Sequence, residues 1–509
     1  MSPRHAAKVR GPGWLRRAAR CLALAAATGL GGPARAYDAA TTHAGLTQQA
    51  AIASRLHRVL GRRLARPLGL FEAVPLHPEL LAPGERRALL ARLAALDPAG
   101  GYRPSADGVA SALAWTVAGT VLAKTPPDRI KNLFFDPSTG SGLRDDAAAD
   151  GFLHGLRQFV DRGDLRDIAT GDAASFEGEP SLVWLEAPEN DVGLAAFYPQ
   201  MERAIAEPDP AQRSSALARA LLALGGSLTI LEDAGNPAQV RNDFRASYLR
   251  GLSGSPFDRR SPFEHAVAEG YGIAGVPGPR EVVHRPNVRA FFTAPDSQGL
   301  ADRTQRRFFS DGTVPEDGVI DHDTSAADVM RAARASLVYQ LPTVPRLELK
   351  QLGARRYVTA ADGAGGGTRR VLGYERVPGR VRFFLDSHVY ADTAQALLPE
   401  IAGYAAGFID HLFRGEIALT QDGERVRVAV LAPAGRIHGG RLRLFGEDAS
   451  GHRTELAVVG ADASGDGEAL DGASVVVPAG CRAVAAVLRG TDDAGPVVAF
   501  GELLLPPRR

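Results

Sequence analysis

The stretch LTILEDAGNPAQVRNDF, residues 228–244, decides how this chain is read. Its first half completes an apolar helix. In DPAQRSSALARALLALGGSLTILED, Leu217, Leu221, Leu224, Leu228 and Leu231 recur on one stripe. Gly235-Asn236-Pro237 then stops the helix. Thr229 and Asp233 are four apart and share a helical face, and Pro237 and Gln239 follow at the turn. Histidines at 229 and 239 would give H-x-x-x-D-x-x-x-P-x-H, in which two imidazoles and a carboxylate can converge on zinc. The stretch contains no histidine.

Working outward, residues from about 41 to 340 read mostly as helices. THAGLTQQAAIASRLHRVLG spaces Leu46, Ala50, Ala53, Leu56 and Leu60 along one face, with Thr41 or Thr42 as N-cap. ADGVASALAWTVAGTVLAK is an apolar helix too short to span a membrane and is assigned to the core. Residues 346–386 are mixed, with strand-like RRYVTA and RVRFFLD around GAGGG, and read as an insertion or hairpin. DTAQALLPEIAGYAAGFIDHLFRG is helical again. Pro399 is expected to open its main segment, and Gly403, Ala406 and Gly407 permit close helix packing. From residue 415 to 509 the pattern alternates apolar and polar residues, with turn signals such as Asp422-Gly423. The expected architecture is mainly α over 37–414, followed by a small all-β sandwich over 415–509.

The N-terminus reads as an export leader, residues 1–36. Arg4, Lys8, Arg10, Arg16, Arg17 and Arg20 precede the short apolar CLALAAATGL, and Ala34-Arg35-Ala36 offers small residues for cleavage. This places the protein in a periplasm or outside the cell. The leader holds seven of the 59 basic residues and no acid, so 52 basic and 58 acidic residues remain after cleavage, a net charge of −6. That balance argues against a nucleic-acid-coating or anionic-membrane-binding surface. Only Cys481 survives cleavage, so no internal disulfide forms.

The central stretch resembles the zinc-dependent phospholipase C and fungal single-strand nuclease family, and other segments fit in pieces across 37–414. KNLFFDPST with GSGL is similar to the family's HF-[YW]-DP segment, with Leu133 at the histidine position. YDAATTH is similar to the mature N-terminus, where an aromatic first residue gives its amine and carbonyl to a zinc and a histidine follows. Tyr37 and His43 match those positions. SPFEHAVAEG resembles the segment in which a glutamate follows a histidine by four. Glu264 matches the glutamate, and Arg260 stands at the histidine position. LLPEIAGYAAGFIDHLF resembles a closing helix of bacterial members. The resemblance implies an all-helical phosphodiesterase fold around three zinc ions.

The departures decide what remains of that chemistry. Leucine offers no lone pair, and a neutral Thr hydroxyl or Gln amide is a poor zinc ligand beside imidazole or carboxylate. Leu133, Thr229, Gln239 and Arg260 remove up to four expected ligands. The remnant implied by the resemblance is Tyr37, His43, Asp233 and Glu264, with Asp243 and His265 as additional candidates. That set would hold at most one zinc ion, whereas the family's chemistry needs several cations and a metal-bound hydroxide.

Each residue also has an ordinary structural reading. Asp233 pairs with Arg241 or Arg245 near a helix end, and Glu264 with Arg259 or Arg260. His43 is then a polar residue of a helix's first turn. His154 and His265 lie on helix faces, and His388 and His411 are structural or exposed. No G-x-S-x-G, phosphate-binding loop or paired-cysteine zinc site occurs. The leading expectation is an exported phospholipase C/nuclease-like protein that is non-catalytic or weakly active and retained as a binding or structural protein. One alternative is an active phosphoester hydrolase using a single reduced metal site. The other is binding of phospholipid, sugar or protein through the C-terminal β region, whose acidic turns GEDASGH, GADASGDGE and GTDDAG are either calcium sites or solvated loops.

Overall fold

The computed structural model describes residues 39–94, 96, 102–144, 177–243, 261–314, 318–319, 347–352, 355–361, 367–377, 380–431, 435–463 and 466–506. The leader, Tyr37, His154, Arg245, Arg259 and Arg260 lie outside these residues.

Among the described residues, twelve α-helices run in order: α1 Thr42–Ala53, α2 Leu56–Arg63, α3 Pro83–Leu93, α4 Ala112–Ala123, α5 Ser181–Glu186, α6 Leu194–Ala206, α7 Pro210–Asp233, α8 Pro237–Val240, α9 Pro262–Gly270, α10 Val288–Phe292, α11 Leu300–Arg307 and α12 Ser387–Leu412. Helix α7 is the hub. Asp209 caps it by accepting from Gln212 N, Pro210 opens it, and its leucine stripe is wholly buried. By length and apolarity it could cross a membrane, yet it is almost entirely enclosed by the protein's own core. Every residue of α4 is buried as well, and Ser111 caps it at Ala114 N.

Glycines let α4 and α7 meet backbone to backbone. A Cβ on Gly225 would stand 1.8 Å from Thr116 O, and one on Gly119 would stand 2.1 Å from Leu222 O. The same device works in α12, where a Cβ on Gly407 would stand 1.7 Å from Val283 O and one on Gly403 would stand 2.4 Å from Glu281 O.

Several sequence expectations need correction. The expected continuous helix from Thr42 to Leu60 breaks at Ser54, whose extended backbone separates α1 from α2. Thr41 precedes α1 without a side-chain cap. Helix α12 begins twelve residues before Pro399 and runs through it, with Asp386 as the N-cap. The 346–386 region is more than a hairpin. Strands β4 Leu347–Leu352, β5 Arg355–Ala361, β6 Thr368–Val377 and β7 Arg380–Phe384 form an antiparallel meander, and β3 Gly318–Val319 extends it beside β7. This sheet has its own small core around Leu372 and Tyr374, and β1 Ala73–Pro75 and β2 Val109–Ser111 pair elsewhere as a separate two-stranded sheet.

The chain then passes through Phe413, Arg414 and Gly415 into β8 Glu416–Asp422, β9 Arg425–Leu431, β10 Ile437–Glu447, β11 Arg453–Ala463, β12 Asp466–Val476, β13 Ala483–Asp492 and β14 Gly495–Leu504. The seven strands of the expected small β region form one hydrogen-bonded set, ordered β11-β10-β13-β14-β8-β9-β12. Its halves join at a single parallel pair, Phe500 and Glu416, and share a core that includes Val428, Val430, Leu442 and Leu488. The alternate face carries Phe445, Val487, Val498 and Phe500 into the main helical core. The fold is therefore a helical region followed by a β region, packed without a gap between them.

Candidate functional site

Three helix ends converge on one buried point. Thr120 of α4 donates to Ala39 O (2.7 Å) and fixes the chain just before α1. The first turn of α1 then delivers His43, and Thr47 lies one turn later on the same face. The last turn of α7 delivers Glu232 and Asp233, and Lys124 follows the last residue of α4. The glycine contacts between α4 and α7 bring that lysine to that aspartate.

The groups form one chain. His43 Nδ1 lies 2.5 Å from Glu232 Oε2, and Nε2 lies 3.1 Å from Asp233 Oδ1. Lys124 Nζ stands 3.0 Å from Asp233 Oδ1 and 2.9 Å from Oδ2. Thr47 donates to the remaining Glu232 oxygen at 2.8 Å. His43, Glu232, Asp233 and Thr47 have no exposure, and Lys124 is 4% exposed.

Charges this deep must neutralise one another. Burial and the Lys124 charge oppose protonation of His43, but Asp233 and Glu232 outweigh them and raise its pKa. Burial raises the Glu232 pKa, and the His43 contact and the Thr47 hydrogen bond oppose that rise without cancelling it. Asp233 is held below the usual carboxylate range: burial works against this, and the Lys124 and His43 charges prevail. Two potential cations thus face two carboxylates in a neutral set. Two acids in α7's last turn and a histidine in α1's first turn both run against the helix dipoles, so each depends on the other for compensation.

Of the residues singled out in the sequence, the structure brings His43 and Asp233 into direct contact. Glu264 joins only indirectly. Its Oε1 accepts from Asn236 Nδ2 at 2.8 Å, and its Oε2 accepts from Ser261 N at 2.6 Å in the capping box of α9. The expected Asp233–Arg241 pair does not form. Arg241 turns to the carbonyls of Phe308 and Gln305 (2.6 Å each), while Lys124 takes the aspartate. Asp243 accepts from Gly312 N at 2.6 Å, and His265 is half-buried on α9.

The substituted positions are packed in. Leu133 is part of the main core. Thr229 Oγ1 donates to Gly225 O (3.0 Å), the backbone four residues earlier in its own helix. Gln239 is 1% exposed and its Oε1 has no partner among the described residues. Its carbonyl accepts from Phe135 N at 3.3 Å, which ties the Leu133 segment to α8. Sequence reasoning missed Lys124 and Glu232. The available signal was a lone lysine closing the apolar run VLAK and a second acid beside Asp233.

This donor set does not fit a zinc ion. Both nitrogens of His43 face carboxylates, and the Lys124 ammonium donates to Asp233 Oδ1 and stands 2.9 Å from Oδ2, which accepts no hydrogen bond among the described residues. A divalent ion there would have to displace Lys124 or leave two excess charges buried. Among the described residues, no group of three or more His, Cys, Asp and Glu side chains is placed to hold a metal. The acidic turns of the β region are also committed where they are described. Asp448 Oδ1 accepts from Ser450 N, Ser450 Oγ and His452 N, and Asp492 grips Arg414 through both oxygens.

No family model and no curated protein matches the chain. Among solved structures, an alpha toxin from Clostridium absonum aligns over 93% of this chain and 97% of that one, at 10% identity and a TM-score of 0.23. A superposition that loose carries no argument about either fold or activity.

Proposed function

We propose that this chain is a non-catalytic protein of the phospholipase C-like kind, exported through residues 1–36 and retained as a binding or structural protein. One observation carries the reading: the Lys124 ammonium sits against both oxygens of Asp233, the carboxylate that the central motif would offer to a metal. A lysine there supplies the positive charge that the buried carboxylate needs. It supplies no Lewis acid and no bound hydroxide, so the hydrolytic part of the motif's chemistry has no source at this point. The packing of Leu133, Thr229 and Gln239 supports the same reading, because these side chains fill space without adding charge.

The test is the metal content of the mature secreted protein, measured by elemental mass spectrometry after mild dialysis. Near-zero zinc is expected, together with no zinc-stimulated hydrolysis of bis-(p-nitrophenyl) phosphate. One tightly held zinc per chain, or phosphodiester turnover abolished by Asp233→Asn, would overturn the proposal.

A further inference from the structure

A cavity of about 420 Å³ opens between α3, α4, α6 and α7, and no residue of the buried His43–Asp233 centre lines it. Its size falls within the roughly 300–1,000 Å³ of small-molecule sites. The floor is apolar: Leu76, Leu122, Val192 and Leu222 line it, and each is at least nine-tenths buried in the fold. The rim comes from one face of α3, where Glu85, Ala88, Leu89 and Arg92 recur at helical spacing.

The rim charges are unequally used. Arg219 Nη2 pairs with Glu85 Oε1 at 3.1 Å, and Asp191 pairs with Arg129 at 2.6 Å. Both rim acids are therefore taken. Arg92 is half-buried and has no carboxylate or hydrogen-bond acceptor among the described residues. Among the described residues, the rim thus presents one uncompensated guanidinium above a pit of leucine and valine.

We propose that this cavity binds a medium-chain carboxylate, with the head group on Arg92 and the alkyl chain over the leucine floor. A guanidinium fork matches a carboxylate through two parallel hydrogen bonds. The chain removes apolar surface of the floor from water. An alkylammonium of equal length would meet Arg92 as a like charge. The inference is independent of whether the His43–Asp233 centre holds a metal, since none of the rim or floor residues belongs to that centre.

The probe is octanoate, titrated calorimetrically into the full-length mature protein below its micellar concentration. Saturable binding at one site is expected. Butanoate should bind on the order of a hundredfold more weakly, because four methylenes are lost. Octylammonium should give no saturable heat. Arg92→Gln should weaken octanoate about tenfold, the loss of one charge-assisted contact, and Arg92→Lys should recover part of it. Ala88→Trp, at an exposed rim position, should block the cavity without disturbing the core. Equal binding of octylammonium, an affinity unmoved by both Arg92→Gln and Ala88→Trp, or no saturable binding of octanoate at all would overturn the proposal. Circular dichroism of each variant shows that the fold is intact.

Discussion

Lys124 is the residue on which the buried centre depends. Removing its charge while keeping its length, as in Lys124→Met, leaves Asp233 buried with only His43 beside it. Breaking a buried pair from one side costs about 3–5 kcal/mol. The urea midpoint of Lys124→Met should fall accordingly, and adding Asp233→Asn should restore part of the loss because the orphaned charge is gone. If Lys124→Met alone is neutral, the ammonium does not balance the aspartate. This pairing was only half legible in the sequence. His43 and Asp233 were found through helical spacing and the N-terminal motif. Glu232 was missed because consecutive helix residues point about 100° apart, yet an imidazole has two nitrogens facing different ways and reaches both. Lys124 was missed because a charge at the end of an apolar run reads as a solvent-seeking tail, whereas here the stem carries it inward.

At the scale of the element, sequence periodicity gave α4 and α7 as helices, but their closeness came from residues that leave no stripe. Gly225 and Gly119 matter for what they lack. Gly225→Ala would place a methyl 1.8 Å from Thr116 O, so the two backbones must separate. We expect a loss of about 1–3 kcal/mol or more in urea unfolding. Gly84→Ala is the contrast: it is also helical, but a Cβ there meets nothing within 4 Å, so it should be neutral or stabilising by up to about 1 kcal/mol. Equal effects at the two sites would show that α4 and α7 are not in backbone contact. Pro399 misled for a related reason. Local rules charge about 3 kcal/mol for a proline inside a helix, but Leu397, Leu398, Ile401 and Ala402 are all fully buried around it, and that tertiary packing holds α12 together.

At the scale of the molecule, alternation after Gly415 revealed the β region, but could not reveal what its outward face touches. Phe413 stacks edge-on against Phe197 of α6 and Phe500 of β14, with centroids 5.6 and 6.3 Å apart. Arg414 grips Asp492 at 2.7 and 2.8 Å, and its Nη1 lies 3.2 Å from His411 Nε2. Burial first, and the Arg414 charge second, lower the His411 pKa to about 4, while Asp492 opposes the shift. In the unfolded chain a histidine titrates near 6.5. The unfolded state therefore binds the proton first as pH falls. The stability from neutral His411 is fully present above about 6.5 and is lost as pH drops toward 4. Between pH 7 and pH 5 this amounts to about 2 kcal/mol. His43, with its raised pKa, acts in the opposite sense, so the effect is read as the difference between the wild type and His411→Gln. Urea unfolding followed by tryptophan fluorescence and far-ultraviolet circular dichroism should give coincident transitions, because the helical and β regions share one core. The wild type should lose about 2 kcal/mol more than His411→Gln over that pH interval. An identical pH dependence in the two proteins would mean that the junction histidine is solvated, and two separated transitions would mean that the β region folds apart from the helices.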